Sequence, residues 1–192
     1  MQKNILLTGV GGQGTVLASK LLAAAALSKG YEVMSAETIG MAQKGGSVFS
    51  HLRVGEGLAS PMIPKGGADL LLAFEPAEAV RMLGYLKPEG HLVVNSAPVQ
   101  PVTAALSGIG YTGQEMLDYL REHSPGLTIV DGRQATAKLT PKALNVVMLG
   151  AALACGALDF LSREDLLAAI RAKVKPQYVA INEQALDYAA GQ

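Results

Sequence analysis

The segment GVGGQG, Gly9 to Gly14, stands directly after the apolar run Ile5 to Thr8 and directly before the alanine-rich stretch that begins at Thr15. Gly9, Gly11 and Gly14 satisfy G-x-G-x-x-G, and the order strand, glycine turn, helix restricts the fold more than any other feature of the chain. Gly9 permits a tight turn, Gly11 lets an anionic group approach the main chain, and Gly14 lets the helix pack against the strand. The helix runs from Thr15 to Lys29 and is closed by Gly30. Its free N–H groups and dipole attract anionic oxygens. Tyr31 to Ala36 reads as a second strand, making a βαβ unit with a right-handed crossover. Glu37 then falls where dinucleotide sites place the acid that binds a ribose hydroxyl, and Glu32 is a poorer candidate. The same glycines also serve close packing alone, or the approach of a partner's loop. The ligand, the partner chain and the neighbouring turn all stay open at this point.

Further along, ETIGMAQKGG has neither helical nor strand period and marks a shaped loop. SVFSHLRVG and ASPMIP read as two short strands around Gly55 to Gly57, a hairpin. Asp69 to Phe74 is a buried strand, PAEAVRMLGYL a helix opened by Pro76, and His91 to Asn95 another buried strand. Residues 96–110 are loop-like, Gly113 to His123 is an amphipathic helix, and Leu127 to Val130 a strand. TPKALNVVMLGAALACGAL begins with Thr140 as a cap and Pro141 in the first turn, and is apolar nearly all round, so it belongs between layers or against a partner. SREDLLAAIRAKV and QYVAINEQALDYAAG are two final helices, with Ser162 and Asp165 forming a capping box on the first. The expected fold class is α/β: one three-layer, Rossmann-like domain over residues 1–192, with a mostly parallel sheet, a β-hairpin insertion and C-terminal helices.

Charge excludes some partners. Sixteen basic and sixteen acidic residues cancel, and no basic block stands out, so a nucleic-acid partner is not expected. The apolar runs are broken by glycine and fall short of the roughly 20 residues of a bilayer span. No basic segment and cleavage site precede the first strand, and Cys155 is the only cysteine. A cytoplasmic chain with no disulfide is the expectation, Cys155 being a small core residue. With only 17% charged residues, part of the surface is expected to meet another subunit.

A second candidate site is AQKGG, where Gln43, Lys44, Gly45 and Gly46 put a mobile cation and an amide on a flexible turn. It follows the second strand, so it shares a rim with the glycine turn, the edge where open α/β sheets gather ligands. His51, His91 and His123 are too scattered for a metal site, and no serine sits in G-x-S-x-G. His51 is a candidate neighbour of the Lys44 loop, with a satisfied strand histidine as the simpler account. No catalytic acid, base or nucleophile is assigned to this chain.

The ordered set TGVGGQGTVLASKLLAAAAL, ETIGMAQKGGSVFSHLRVG, SPMIPKGGADLLLAFEPAEAVRMLGYLKPEGHLVVN and NVVMLGAALA resembles the small, gamma-type subunit of 2-oxoacid:ferredoxin (acceptor) oxidoreductases. The resemblance spans nearly the whole chain and is weakest from Pro98 to Ala137. It implies a subunit that works in a complex, oxidatively decarboxylating a 2-oxoacid, with indolepyruvate or another arylpyruvate leading, to an acyl-CoA. It further implies that thiamine diphosphate, Mg and iron–sulphur clusters sit on a large partner, with ferredoxin engaged indirectly. One cysteine cannot supply four cluster thiolates, and no G-D-G stretch followed by paired asparagines is present. By the same resemblance, Gly9, Gly11, Gly12, Gln13 and Gly14 face phosphate or the partner, beside Gln43, Lys44, Gly45 and Gly46. This chain would then cover the active-site mouth and share the holding of coenzyme A. Lys44 stands where the family pattern often has arginine, exchanging a bidentate for a point-charge contact. Asn145 and Asn182 match favoured family positions, with helix hydrogen bonds as the structural account. Exposed apolar helix surface admits a homodimer of the isolated subunit. Two rivals remain: a self-contained NAD-dependent dehydrogenase using Gly9, Gly11, Gly14 and Glu37, and a scaffold whose loops touch protein only.

Overall fold

The structure is a computed structural model that describes residues 1–38, 45–100, 106, 108 and 110–189. In chain order its elements are β1 (Gln2–Val10), α1 (Thr15–Ser28), β2 (Val33–Glu37), β3 (Ser47–Gly55), β4 (Ala68–Ala73), α2 (Pro76–Met82), β5 (Leu86–Asn95), α3 (Gln114–His123), β6 (Leu127–Val130), α4 (Gly132–Lys138), α5 (Leu144–Ala154), α6 (Arg163–Lys173) and α7 (Val179–Tyr188). Short 3-10 turns precede β5, α5 and α7.

The six strands lie in the order β2-β3-β1-β4-β5-β6. Pairing is parallel from β1 through β4 and β5 to β6, and antiparallel on both sides of β3. β1 and β2 therefore run the same way, as a βαβ unit requires, but β3 lies between them. Its full-length register with β1, Gln2 opposite Gly55 through Val10 opposite Ser47, outcompetes the shorter β2 for that position.

The hairpin is present but joins different segments from those expected. β2 and β3 form it, whereas Ala59 to Pro64 is irregular. Pro61 and Pro64 cannot donate to a ladder, and side chains fasten this segment instead. Arg53 Nη1 donates to Ser60 O at 2.9 Å, and Ile63 N donates to His51 Nδ1 at 3.1 Å.

Alternation along the strands explains their unbroken apolar runs, since both faces are covered. Ile5, Leu7, Leu52, Leu70, Leu72 and Val93 face one core with α1, α5, α6 and α7. Leu6, Leu71, Ala73, Leu92 and Val94 face the other with α2 and α3. Three layers result. Helix α5 is buried from Asn145 to Ala152, as its all-round apolarity requires, and a Cβ on Gly150 would stand 2.1 Å from Leu186 O of α7. The Ser162–Asp165 capping box forms in full at α6. Thr140 differs from expectation: its side chain makes no cap, and the chain enters α5 through a 3-10 turn at Pro141–Ala143. Helix α4, which the sequence reading left unassigned, is capped by Asp131, whose Oδ1 accepts from Gln134 N at 2.9 Å.

Candidate functional site

β1 delivers the chain to the carboxyl edge of the sheet, where GVGGQG turns it into α1. Gly9 has no room for a side chain: a Cβ there would stand 2.8 Å from Gln13 Oε1 and 2.9 Å from Phe74 Cβ. Gly14 caps α1 in the left-handed region at φ +86, a conformation glycine adopts without strain. It has no side chain with which to cap the helix, so the first N–H groups of α1 keep their outward polarity.

The glycine turn and the second loop meet. Gly11 N donates to Gly46 O at 2.9 Å, which puts Gly45 and Gly46 on the same rim as Gly9 to Gly14. Gln43 and Lys44, the other two candidates of that loop, lie outside the described residues. Gln13 turns inward: its Oε1 accepts from Val10 N at 2.7 Å and its Nε2 donates to Phe74 O at 2.9 Å.

That orientation matters because the chain leaves β1 toward α1 on one face and leaves β4 toward α2 on the other. The crevice between β1 and β4 is thus the topological switch point, where ligands of open α/β sheets usually enter. Here it is bridged by amides. Phe74 O also accepts from Asn95 Nδ2 at 2.9 Å, and Asn95 Oδ1 accepts from Ala97 N and Gly132 N, each at 3.1 Å. A chain of hydrogen bonds therefore crosses the rim from the glycine turn to the start of α4.

Beside that closed crevice a cavity of about 490 Å³ opens between α1 and the β2–β3 hairpin. Gly12, Gly14 and Thr15 form its turn side, Val16 and Lys20 its helix wall, and Glu37, Thr38 and Val48 its sheet wall. Thr15 is 3% exposed, and its hydroxyl has no partner among the described residues.

Sequence reasoning missed the pair of buried carboxylates at the start of α2. Glu75 caps the helix by accepting from Glu78 N at 3.0 Å, and its other oxygen accepts from Tyr111 Oη at 2.7 Å. Burial and Glu75 together push the Tyr111 phenol well above the usual tyrosine range. Glu78 accepts from Ser47 Oγ at 2.5 Å and pairs with Arg81 at 3.4 Å. The pair thereby ties α2 to Ser47 at the head of β3 and to Tyr111. The only local signal was a glutamate ahead of Pro76 with a second glutamate three residues on, a capping pattern.

Other candidates resolve into structural roles. His51 lies mid-strand opposite Leu6 and Ala36, away from the rim. It is 1% exposed, sits edge-on to Phe49 and Tyr85, and burial lowers its pKa below the usual histidine value. Because Nδ1 accepts from Ile63 N, the proton is on Nε2, which finds no partner among the described residues. Asn145 packs under Gly14, 3.2 Å from where a Cβ would be, and its Oδ1 accepts from Val146 N. Asn182 Nδ2 donates to Tyr178 O within the last helix region. Cys155 is free and half-buried. Among the described residues no three His, Cys, Asp or Glu side chains gather as metal ligands would, and no helix is long and apolar enough to cross a membrane.

Comparison with known proteins adds to this geometry. The sequence profile of the pyruvate ferredoxin/flavodoxin oxidoreductase family matches residues 4–192. The indolepyruvate oxidoreductase subunit IorB of Thermococcus kodakarensis is 38% identical over 190 residues, covering 96% of this chain and 92% of its own. A keto/oxoacid ferredoxin oxidoreductase gamma subunit from Geobacter sulfurreducens shares the fold, with a TM-score of 0.73 at 22% identity over 98% of this chain and 94% of that one. The 2-oxoglutarate:ferredoxin oxidoreductase of Magnetococcus marinus, solved with 2-oxoglutarate, coenzyme A and succinyl-CoA bound, contains the same fold within a longer chain. Its TM-score is 0.71 at 20% identity, over 99% of this chain and 30% of that one.

Proposed function

The chain belongs to the pyruvate ferredoxin/flavodoxin oxidoreductase family, and on that premise we propose that it is the non-redox subunit of a thiamine-dependent 2-oxoacid:ferredoxin oxidoreductase acting on indolepyruvate or another arylpyruvate. Its curated relatives are indolepyruvate oxidoreductase subunits, and this chain is a small subunit of an oxidoreductase complex of that family. In this reading residues 1–192 act as one gamma-type domain in the cytoplasm. The observation that carries the subunit role is chemical: 192 residues with a single cysteine cannot hold a four-thiolate cluster, so electron transfer belongs to a large partner.

The rim where Gly11 meets Gly46 is the face we assign to that partner, and the glycine turn with Gln43 to Gly46 is the part we assign to coenzyme A. Coenzyme A, when bound, supplies the thiol that accepts the acyl group. This chain's task is positioning and exclusion of water, for which a rim rigidified by Gln13 and Asn95 is suited. The rival dehydrogenase is disfavoured by the same atoms, since Gly11 N is already donated to Gly46 O and Gln13 occupies the switch-point crevice. Affinity purification from the native cell tests the proposal. A co-purifying large polypeptide with iron–sulphur absorbance, bound thiamine diphosphate and coenzyme A-dependent oxidation of indolepyruvate is the expected result. A lone chain that reduces NAD overturns it.

A further inference from the structure

Gly45 and Gly46 carry no side chain, and Gly45 stands at φ +83 with nothing within 4 Å of where a Cβ would be, so neither glycine packs itself into place. The β1–β3 ladder reaches to Val10 opposite Ser47, and the bond from Gly11 N to Gly46 O lies one step past it. Bonds at the end of a ladder open at low free energy unless something fastens them. Here the fastening is Ser47, whose hydroxyl leaves the sheet on the α2 face and donates to Glu78 Oε2 at 2.5 Å. Glu78 is itself held: Glu75 Oε2 accepts from its main-chain N–H at 3.0 Å, and its Oε1 faces Arg81 Nη2 at 3.4 Å, which leaves Oε2 to Ser47. The Glu78 side chain is 7% exposed and that of Arg81 is 61% exposed, so solvent screens the cation. A carboxylate this buried is costly where a neutral acceptor would serve. What it adds is a charge-assisted bond, about twice as strong as a neutral one.

We infer that Glu78 is a positioning residue of the rim: acting through Ser47 from the α2 face of the sheet, it fixes Gly46 against Gly11 and thereby sets the affinity of the glycine turn for coenzyme A. The connection runs from the carboxylate to the Ser47 hydroxyl, along one peptide to Gly46 O, and across to Gly11 N. It joins a helix on one side of the sheet to the loop that opens α1 on the other. The inference rests on the coenzyme A assignment made above and adds to it a residue from the opposite side of the sheet.

Two readouts test it. In the full chain, NMR hydrogen exchange of the Gly11 amide is compared with that of Val10, whose N–H is held by Gln13 and not by Gly46. Ser47→Ala and Glu78→Ala are expected to speed Gly11 exchange roughly tenfold while leaving Val10 within about twofold, whereas a general loss of stability would speed both together. In the complex reconstituted with the large subunit, the same variants are expected to raise KM for coenzyme A roughly fivefold, with kcat and KM for the 2-oxoacid within about twofold of wild type. The double variant should match the single ones, because both remove the same bond. Glu78→Gln, whose amide oxygen can still accept from Ser47, should recover most of both effects. Equal acceleration of Gly11 and Val10, or none at Gly11, overturns the inference. So does an unchanged KM for coenzyme A, or a double variant whose effect is the product of the single ones. A wild-type chain that finds no large subunit, or a complex that turns over without coenzyme A, overturns the function proposed above, and the Gly11 response alone then decides whether Glu78 fixes the rim.

Discussion

Gln13 Nε2 donates to the carbonyl oxygen of Phe74 at 2.9 Å, fastening the glycine turn after β1 to the end of β4. One amide thus fills the place where a sheet of this topology would otherwise admit a ligand, and it does so while holding Val10 N with its other end.

Replacing Gln13 by Ala should be felt mainly at Val10 N, which loses its acceptor, since Phe74 O keeps the Asn95 donor. A part-buried orphaned donor costs about 1–3 kcal/mol. Urea denaturation monitored by circular dichroism should show that loss of stability at unchanged m-value.

Gly150→Ala should destabilise more severely. The added methyl would stand 2.1 Å from Leu186 O, a main-chain atom that cannot swing away, so α5 and α7 must separate. Overpacking costs about 1–3 kcal/mol and occasionally more, and thermal melts should place the midpoint of this variant well below that of Gly156→Ala. Gly156→Ala instead suffers only backbone strain at φ +79, with nothing within 4 Å of the new carbon.

His51 should make stability depend on pH in a definite direction. Its folded pKa is lowered by burial, so below about 6.5 the unfolded chain takes up a proton that the folded chain resists. The stabilisation is fully present above that value and declines as pH falls toward the folded pKa. Melting temperatures between pH 7.5 and 5 should fall more steeply for wild type than for His51→Asn, whose side-chain oxygen can still accept from Ile63 N.

Ser162→Ala removes the acceptor of Asp165 N and the reciprocal geometry of the capping box at α6. The expected loss is about 0.5–2 kcal/mol. Ser162→Asn should recover most of it, which separates a capping effect from a packing one.

Much of the local structure was legible in the residues. The glycine turn, α1 with Gly30 beyond its end, the buried strands β4 and β5, Pro76 at the first turn of α2, and the Ser162 cap all follow from spacing, propensity and main-chain conformation. The rim was legible too, in that two glycine loops at strand ends were expected to adjoin, and Gly11 bonds Gly46. The irregular course of Ala59 to Pro64 could have been foreseen from its two prolines.

The amino-acid sequence by itself determined most of the strands and helices, α4 and the irregular Ala59 to Pro64 excepted, and that the central strands are buried, because those properties depend chiefly on neighbours within a few residues. Only the tertiary structure decided that β3 inserts between β1 and β2, that Gln13 points into the switch-point crevice, and that Glu75 and Glu78 anchor Tyr111 and Ser47. Each of these is a choice among partners distant in the chain, made by comparing whole registers and whole sets of hydrogen bonds. No window of sequence contains both sides of that comparison.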